Sequence, residues 1–489
     1  MSDAPSTMTG LARLLVSAAH KSSGKTTVTL GLTAALAARG RSVQPFKKGP
    51  DYIDPMWLSR AAGRPCFNLD PHLMTGDEVD ALFARASAGA DLALVEGNHG
   101  LFDGLALDGS NSNAALAHRL RAPVLLVIDA RGMTRGIAPL LLGYQAFDRA
   151  LRIGGVVLNR VGGARHESRL RAVIEHYTDL PVLGAVHEQP ALAMTERHLG
   201  LMPDAEVADA GERIGAIGAA IAAAVDLDRV LALAGGAGPG PAAHPWPDRK
   251  PPAAAPTPTG AASGPRVRIA VARDRAFGFY YPDDLVALEA AGAELHFFDT
   301  LSDTRLPTAD GLFIGGGFPE TCLDALAANS ALRGELKRAI EAGLPTYAEC
   351  GGLMLLSRSI TWRGRRAPMV GAIPADAVMQ PRPVGRGYVQ LRETAAMPWA
   401  GGGDAPVRGH EFHHSGLADV DPGVAYAYTV ERGHGIDGRH DGLLVHRLLA
   451  SYTHRRSVGG DAWPARFVAQ VRQVASASAR APATLQEAA

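Results

Sequence analysis

Apolar runs long enough to be buried on both faces alternate, through the first half of the chain, with stretches rich in Ala and Leu at helical spacing. Residues 14–18, 91–96, 123–129, 153–159 and 181–186 read as strands without polar alternation. Such strands, joined by crossover helices, predict a parallel sheet. The logic repeats later on a smaller scale, with strands expected at 267–272, 294–298, 312–314 and 345–348. Between the halves, residues 234–265 are nearly all Gly, Ala and Pro, the composition of a linker. The pattern therefore divides the chain into an α/β domain at 11–233, the linker, and a second α/β domain at 266–460. A tail at 461–489 is expected to be partly disordered, fraying after about Val468, where Ala, Ser and Gln dominate.

Composition narrows the function classes. At 489 residues, with 47% hydrophobic and 20% charged positions, the chain supports two or three cores. Lys plus Arg (49) equals Asp plus Glu (49), so no global field draws it to nucleic acid or to an anionic membrane. A small-molecule partner is the expectation. Cys66, Cys322 and Cys350 form neither a CxxC pair nor an even framework, which fits free thiols in a reducing compartment. The first ten residues lack a basic stretch followed by an apolar one, and no apolar run has membrane length. These features predict a cytoplasmic protein.

The first strand runs into His20-Lys21-Ser22-Ser23-Gly24-Lys25-Thr26-Thr27, followed by a helix expected at 28–38. This arrangement reads as a phosphate cradle for a nucleotide with Mg²⁺. Backbone N–H groups around Gly24 and the helix start, with Thr27 inside it, wrap the phosphates; Lys25 reaches the β/γ oxygens, and the Thr26 hydroxyl joins Mg²⁺. Ala19 replaces the first glycine of the usual pattern. Two acidic stretches accompany the cradle. Pro45-Phe46-Lys47-Lys48-Gly49-Pro50-Asp51-Tyr52-Ile53-Asp54-Pro55 reads as a loop presenting two carboxylates beside two lysines. In Val95-Glu96-Gly97-Asn98-His99-Gly100-Leu101-Phe102-Asp103-Gly104, Glu96 closes a buried strand, where a carboxylate faces a phosphate site as a metal ligand must.

The second half is organised around Pro345-Thr346-Tyr347-Ala348-Glu349-Cys350-Gly351-Gly352, an apolar run that stops at a cysteine and restarts as a glycine-led helix. Small residues let the backbone bend sharply there, exposing the thiol, and a helix N-terminus favours its thiolate. Earlier, Leu312-Phe313-Ile314-Gly315-Gly316-Gly317 is a strand ending in glycines. The N–H groups of Gly316, Gly317 and Gly351 are candidate oxyanion donors, and His454 is the candidate base. His410-Glu411-Phe412-His413-His414 satisfies the H-E-x-x-H zinc pattern, but that motif works only on a helix. Flanking Arg408-Gly409 and Ser415-Gly416 predict a strand or loop, without zinc.

Taken in this order, these pieces resemble a class I glutamine amidotransferase domain of the cobyrinic-acid type, preceded by that family's ATP-binding domain. Phe279-Tyr280-Tyr281-Pro282 and Arg408-Gly409-His410-Glu411-Phe412-His413 are similar to further signatures of the branch, and the resemblance spans residues 14–454. It implies Thr26, Asp51 and Glu96 as Mg²⁺ ligands and Asp54 and Asp103 in substrate handling or catalysis. Asn159 matches the adenine-reading asparagine of dethiobiotin-synthetase-like folds; a turn-forming asparagine is the plainer alternative. Many class I amidotransferases place a glutamate two residues after the histidine to orient it. Arg456 stands there, so no orienting partner for His454 is visible.

The resemblance further implies ATP-dependent amidation, in which ammonia released from glutamine at Cys350 displaces phosphate from a phosphorylated substrate carboxylate. The substrate that the resemblance implies is a corrin-type tetrapyrrole acid amidated at the a and c acetates, cobalt-bearing or metal-free. Another tetrapyrrole acid, such as nickel-sirohydrochlorin or the cobyric acid step, is the alternative within the class. A partitioning-type switch ATPase would carry a second lysine five residues before Lys25, where His20 stands. A binding module with an inert Cys350 is a third reading. A homodimer is compatible with all of them.

Overall fold

The computed structural model describes residues 10–189, 192, 194, 196–197, 200–207, 209–237, 265–403 and 405–480. Two compact units divide the chain, Met1–Lys250 and Pro251–Ala489. Among the described residues no helix is long and apolar enough to cross a membrane.

The first unit is built on seven strands: β1 (Ala12–Ala18), β2 (Val43–Lys48), β3 (Phe67–Leu69), β4 (Leu92–Glu96), β5 (Val124–Asp129), β6 (Ile153–Val161) and β7 (Val182–His187). They lie in the order β3-β2-β4-β1-β5-β6-β7, and every neighbouring pair is parallel. Every residue of β4 and β5 is buried, as their unbroken apolar runs require. All five expected strands of this half appear. The segment 45–48, expected as part of a loop, is instead the end of β2, and all six residues of that strand are buried. Pro45 is tolerated because the ladder to β3 begins one residue later, at Phe46. In this topology the carboxyl ends of β1, β2, β4, β5 and β6 gather the cradle, Lys47, Glu96, Asp129 and Asn159 at one edge, the place where parallel α/β sheets bind ligands.

The second unit is larger than the sequence pattern suggests. Its main sheet has ten strands: β8 (Val267–Ala272), β9 (Ala293–Phe298), β10 (Gly311–Ile314), β11 (Thr346–Glu349), β12 (Gly385–Glu393), β13 (Val407–His413), β14 (Ala425–Arg432), β15 (His440–Val445), β16 (Leu448–Ser451) and β17 (His454–Arg455). The order is β9-β8-β10-β11-β16-β15-β14-β12-β13-β17. The four expected strands form its parallel half, joined by β16. From β16 outward every pairing is antiparallel. The H-E-x-x-H segment lies on β13 and just past it, as the flanking residues predict; an extended backbone does not bring its histidines together as one helical turn would.

The expected fraying tail is corrected in part. Trp463–Arg480 is a helix, and Trp463, Phe467, Val468 and Val471 on it are fully buried against Val389, Leu391, Trp399 and Tyr347. Residues 481–489 and 238–264, the latter most of the expected linker, lie outside the described residues; 234 and 235 close the helix Leu227–Gly235.

Candidate active sites

In the first unit the cradle loop follows β1 and ends at Gly24, whose φ of 87° is left-handed. Glycine suits that position twice over. A side chain there is strained at such a φ, and a Cβ would lie 2.0 Å from Asn159 Nδ2. The loop's carbonyls are tied to its frame. Tyr144 donates to Ala19 O (2.5 Å), Ser23 to His20 O (2.8 Å), Arg160 to Ser22 O (2.7 Å) and Asn159 to Ser23 O (2.9 Å). Because a peptide is planar, engaging its C=O fixes where its N–H points, and the loop becomes a rigid nest. Asn159 thus lies in contact with the cradle itself. Thr27 lies in the first turn of the helix Lys25–Ala38.

Lys25 is buried at this edge, and burial followed by repulsion from Lys47 draws its pKa down to about 8. Lys47 is enclosed by acids: Asp54 at 2.5 Å, Glu96 at 2.9 Å and Asp51 at 4.0 Å. Burial pulls Lys47 down, but attraction from Asp54, Glu96 and Asp51 outweighs it and the ammonium is held. Thr26 donates to Glu96 Oε1 at 2.6 Å and approaches Asp54 Oδ2 at 3.3 Å. The carboxylate that joins Thr26 and Glu96 is therefore Asp54, expected from the sequence to serve the substrate. Asp51, expected beside Mg²⁺, accepts the N–H groups of Ile53 and Asp54 with Oδ1 and starts the helix Ile53–Ala62. Desolvation and then Asp54 push its carboxyl up to about 7, although the side chain keeps 35% exposure. Asp103 accepts from Gly100 N–H at 2.8 Å, and Lys48, drawn down to about 8 by burial, donates to Asn98.

Among the described residues no three His, Cys, Asp or Glu side chains converge as a ready metal site. The donor chemistry at Thr26 and Glu96 still suits a small hard cation. Glu96 is fully buried, its Oε2 has no hydrogen-bond partner, and burial raises its pKa.

In the second unit, Cys350 sits between β11 and the helix Gly351–Leu356 at φ 47°, ψ −97°, the bend expected of a mounted nucleophile. Its N–H donates to Ser451 O at 2.7 Å, tying the bend to β16. The thiol is buried rather than exposed, and burial, Glu320 and Glu349 push its pKa far up. Burial and the two nearby carboxylates thus oppose the helix N-terminus that favours the expected thiolate, and push the group toward the neutral thiol.

Gly316, Gly317, Gly351 and His454 converge here. A Cβ on Gly316 would meet His454 Cε1 at 2.5 Å, and one on Gly351 would meet Gly317 N at 2.9 Å. Gly317 opposes Phe277 in a short antiparallel pair, and the Phe318 N–H to Ala276 O bond (2.9 Å) marks that pair as the non-hydrogen-bonded kind. The Gly317 N–H consequently faces away from that pairing, toward Gly351, and is the better placed donor of the two glycines.

The residue missed from the sequence is Glu349. Its Oε2 lies 3.0 Å from His454 Nδ1, while Oε1 accepts from Tyr347 O–H (2.7 Å) and Arg455 N–H (3.1 Å). It stands in the quoted motif beside Cys350, and that adjacency was the available signal. Arg456 lies elsewhere, in a buried pair with Asp283 at 2.9 Å and 4.9 Å from the Tyr281 ring centroid. His410 stacks on His454 at 5.1 Å.

Fold and sites define a P-loop nucleotide-binding unit followed by a glutamine amidotransferase unit. Residues 15–201 match the CobQ/CobB/MinD/ParA nucleotide binding domain, and residues 268–459 match the CobB/CobQ-like glutamine amidotransferase domain. The chain is 46% identical over 458 residues to a cobyrinate a,c-diamide synthase of Magnetococcus marinus, covering 94% of this chain and 96% of that one. A protein of the same name from Methanosarcina acetivorans is 40% identical, covering 91% of this chain and 92% of that one. The chain belongs to the cobyrinate a,c-diamide synthase family.

Proposed function

We propose that the protein catalyses ATP-dependent amidation of the a and c carboxylates of cobyrinate, or of its metal-free counterpart hydrogenobyrinate, in cobalamin biosynthesis, with glutamine or ammonia as nitrogen donor. One observation carries the reading: a single chain joins a braced phosphate cradle to a cysteine whose neighbouring carboxylate holds the catalytic histidine. Cys350 Sγ attacks the glutamine carboxamide while His454 takes the thiol proton, because a thiol held neutral needs its base in the same step. Glu349 orients the imidazole and stabilises its cation. The N–H groups of Gly317 and Gly351 stabilise the oxyanion, with Gly316 giving room for His454. His454 then returns the proton to the departing ammonia, and water cleaves the thioester.

At the cradle, Lys25 and the loop N–H groups bind the ATP phosphates; Asp103 is assigned to substrate handling, and Asp54, beside Thr26 and Lys47, to catalysis at the metal edge. Thr26 and Glu96 would hold Mg²⁺, which supplies charge neutralisation on the β- and γ-phosphates. Asp51 supports this set through Lys47 and the helix start. A cytoplasmic location fits three buried free cysteines. The test is a mass-resolved screen of purified enzyme with Mg²⁺-ATP, glutamine and, separately, cobyrinic acid, hydrogenobyrinic acid and nickel-sirohydrochlorin. Two successive amidations of a corrin-type acid are expected. ATP hydrolysis without turnover of any of the three would favour the switch ATPase instead.

A further inference from the structure

Strands β12, β13 and β14 carry a polar face whose arginines Arg386, Arg408 and Arg432 have no ion-pair partner among the described residues. Val389 and Leu391 of β12 are buried in the core, so Arg386, Tyr388 and Gln390, alternating with them, occupy the opposite face. Register places Phe412 opposite Arg386, His410 opposite Tyr388 and Arg408 opposite Gln390. On the other side of β12, Arg432 of β14 also opposes Gln390. The same face continues to His454, which pairs in register with His410. A carboxylate-rich ligand lying on it would border the glutaminase site.

Among the described residues none of Arg386, Arg408 and Arg432 forms an ion pair. Two of the described acids nearby in sequence are already engaged: Glu431 pairs with Arg392 at 2.6 Å and Glu393 with Arg466 at 2.5 Å. Glu411 takes the opposite face, where the N–H groups of His434 and Gly435 hold it at 2.7 and 2.8 Å. Arg386 and Arg432 are exposed and Arg408 half-buried; the Arg386 guanidinium lies 5.3 Å from the Phe412 ring centroid. Three like charges left uncompensated on one face repel each other and attract a complementary ligand.

Their spacing selects among anions. Arg408 and Arg432 flank β12 from its two neighbours, about 10 Å apart at the strand level, and Arg386 lies about 13 Å along β12. A single carboxylate reaches one guanidinium. Engaging all three takes several carboxylates mounted on a frame of that width.

We propose that this face docks the peripheral carboxylates of the macrocyclic polycarboxylic substrate, with Phe412 and Tyr388 against its apolar ring. The proposal rests on the functional reading above. Its test uses the full-length enzyme with Arg386→Gln, Arg408→Gln, Arg432→Gln and the triple variant, and Arg338→Gln, on the remote helix Ser330–Glu341, as a charge-matched control. The ammonium-supported reaction is run with the macrocycle varied, and the glutaminase reaction with glutamine varied. Each single variant should raise the macrocycle KM about three- to tenfold, and the triple about 100-fold, with kcat nearly kept, the glutamine KM steady and a weaker salt dependence. A glutamine KM that rises while the macrocycle KM holds would reassign the face to the α-carboxylate of glutamine and overturn the proposal. Unmoved values of both would overturn it as well. Failure of the wild type to amidate any macrocycle would sink the functional reading itself, whereas wild-type turnover with unmoved KM in the variants sinks the docking face alone.

Discussion

His454 gives its Nδ1 hydrogen to Glu349 Oε2 at 3.0 Å, and Glu349 is the residue immediately before Cys350. A carboxylate only accepts, so this contact fixes the tautomer and leaves Nε2 as the accepting nitrogen of the ring. The acid has in effect moved from the position two residues after the histidine to the strand that carries the nucleophile. With Tyr347 and Arg455 on its other oxygen, Glu349 has little freedom to turn away. Arg456, bound to Asp283, is unavailable to disturb it.

Glu349→Gln should therefore lower kcat/KM for glutamine by about 100-fold, since general-base catalysis with a misassigned tautomer forfeits contributions of that order. Amidation supported by ammonium salt should persist, because it bypasses the thioester. The measurement is steady-state kinetics with both nitrogen sources at matched melting temperature. Native glutamine kinetics in a folded variant would show that another group orients the ring.

The raised pKa of Cys350 sets its reactivity. Burial, then Glu320 and Glu349, keep the thiol protonated at neutral pH. Iodoacetamide should label it at least about tenfold more slowly than a free cysteine at pH 7.5, and Glu320→Gln should speed labelling. Peptide mass spectrometry reads the rate. Cys350→Ala should lose glutamine-dependent amidation and retain the ammonium-supported reaction; rapid labelling of the native enzyme would instead restore the thiolate that the sequence suggests.

Lys25 offers a pH test. Burial and Lys47 draw it to about 8, below the usual lysine value, so its charge is present below that pH and lost above it. In the free enzyme kcat/KM for ATP should fall as pH rises through about 8, and Lys25→Ala should abolish amidation with either nitrogen source. Lys48 titrates in the same range. Repeating the profile in Lys48→Gln assigns the limb: if it vanishes there, Lys25 is not the group observed.

What the sequence made legible was local. The cradle is one strand, one loop and one helix in succession, and the cysteine bend is another such succession. The partner of Glu349 lies 105 residues further on, and neither residue alone announces the contact. Lys47 and Lys48 read as loop because charge in a strand is costly, yet Asp54 and Glu96, from two other elements, make the burial of Lys47 tolerable. The antiparallel half of the second sheet mixes Gly, Arg and His with apolar residues and lacks the unbroken runs that mark the parallel half. In the tail, Ala and Ser obscured a helical spacing that was present: Trp463, Phe467 and Val471 recur every four residues and form the buried stripe.

Asn159 separates two roles that its place in the sequence could not. Its amide donates to Ser23 O and lies where a Cβ on Gly24 would fall, so it holds the cradle's shape; the family resemblance instead assigns it to the adenine base. A brace serves every nucleotide alike, since the phosphates are common to all, whereas a base reader discriminates by the edge it bonds. Asn159→Ala should raise the KM for ATP about tenfold, roughly the loss of one buried hydrogen bond with a partner left unsatisfied. If the brace is its main work, a reaction run with GTP should suffer by the same factor, leaving the ATP-to-GTP ratio of kcat/KM unchanged. A ratio that collapses toward unity, with GTP kinetics unmoved, would show that the side chain reads adenine and that its contact with the loop is incidental.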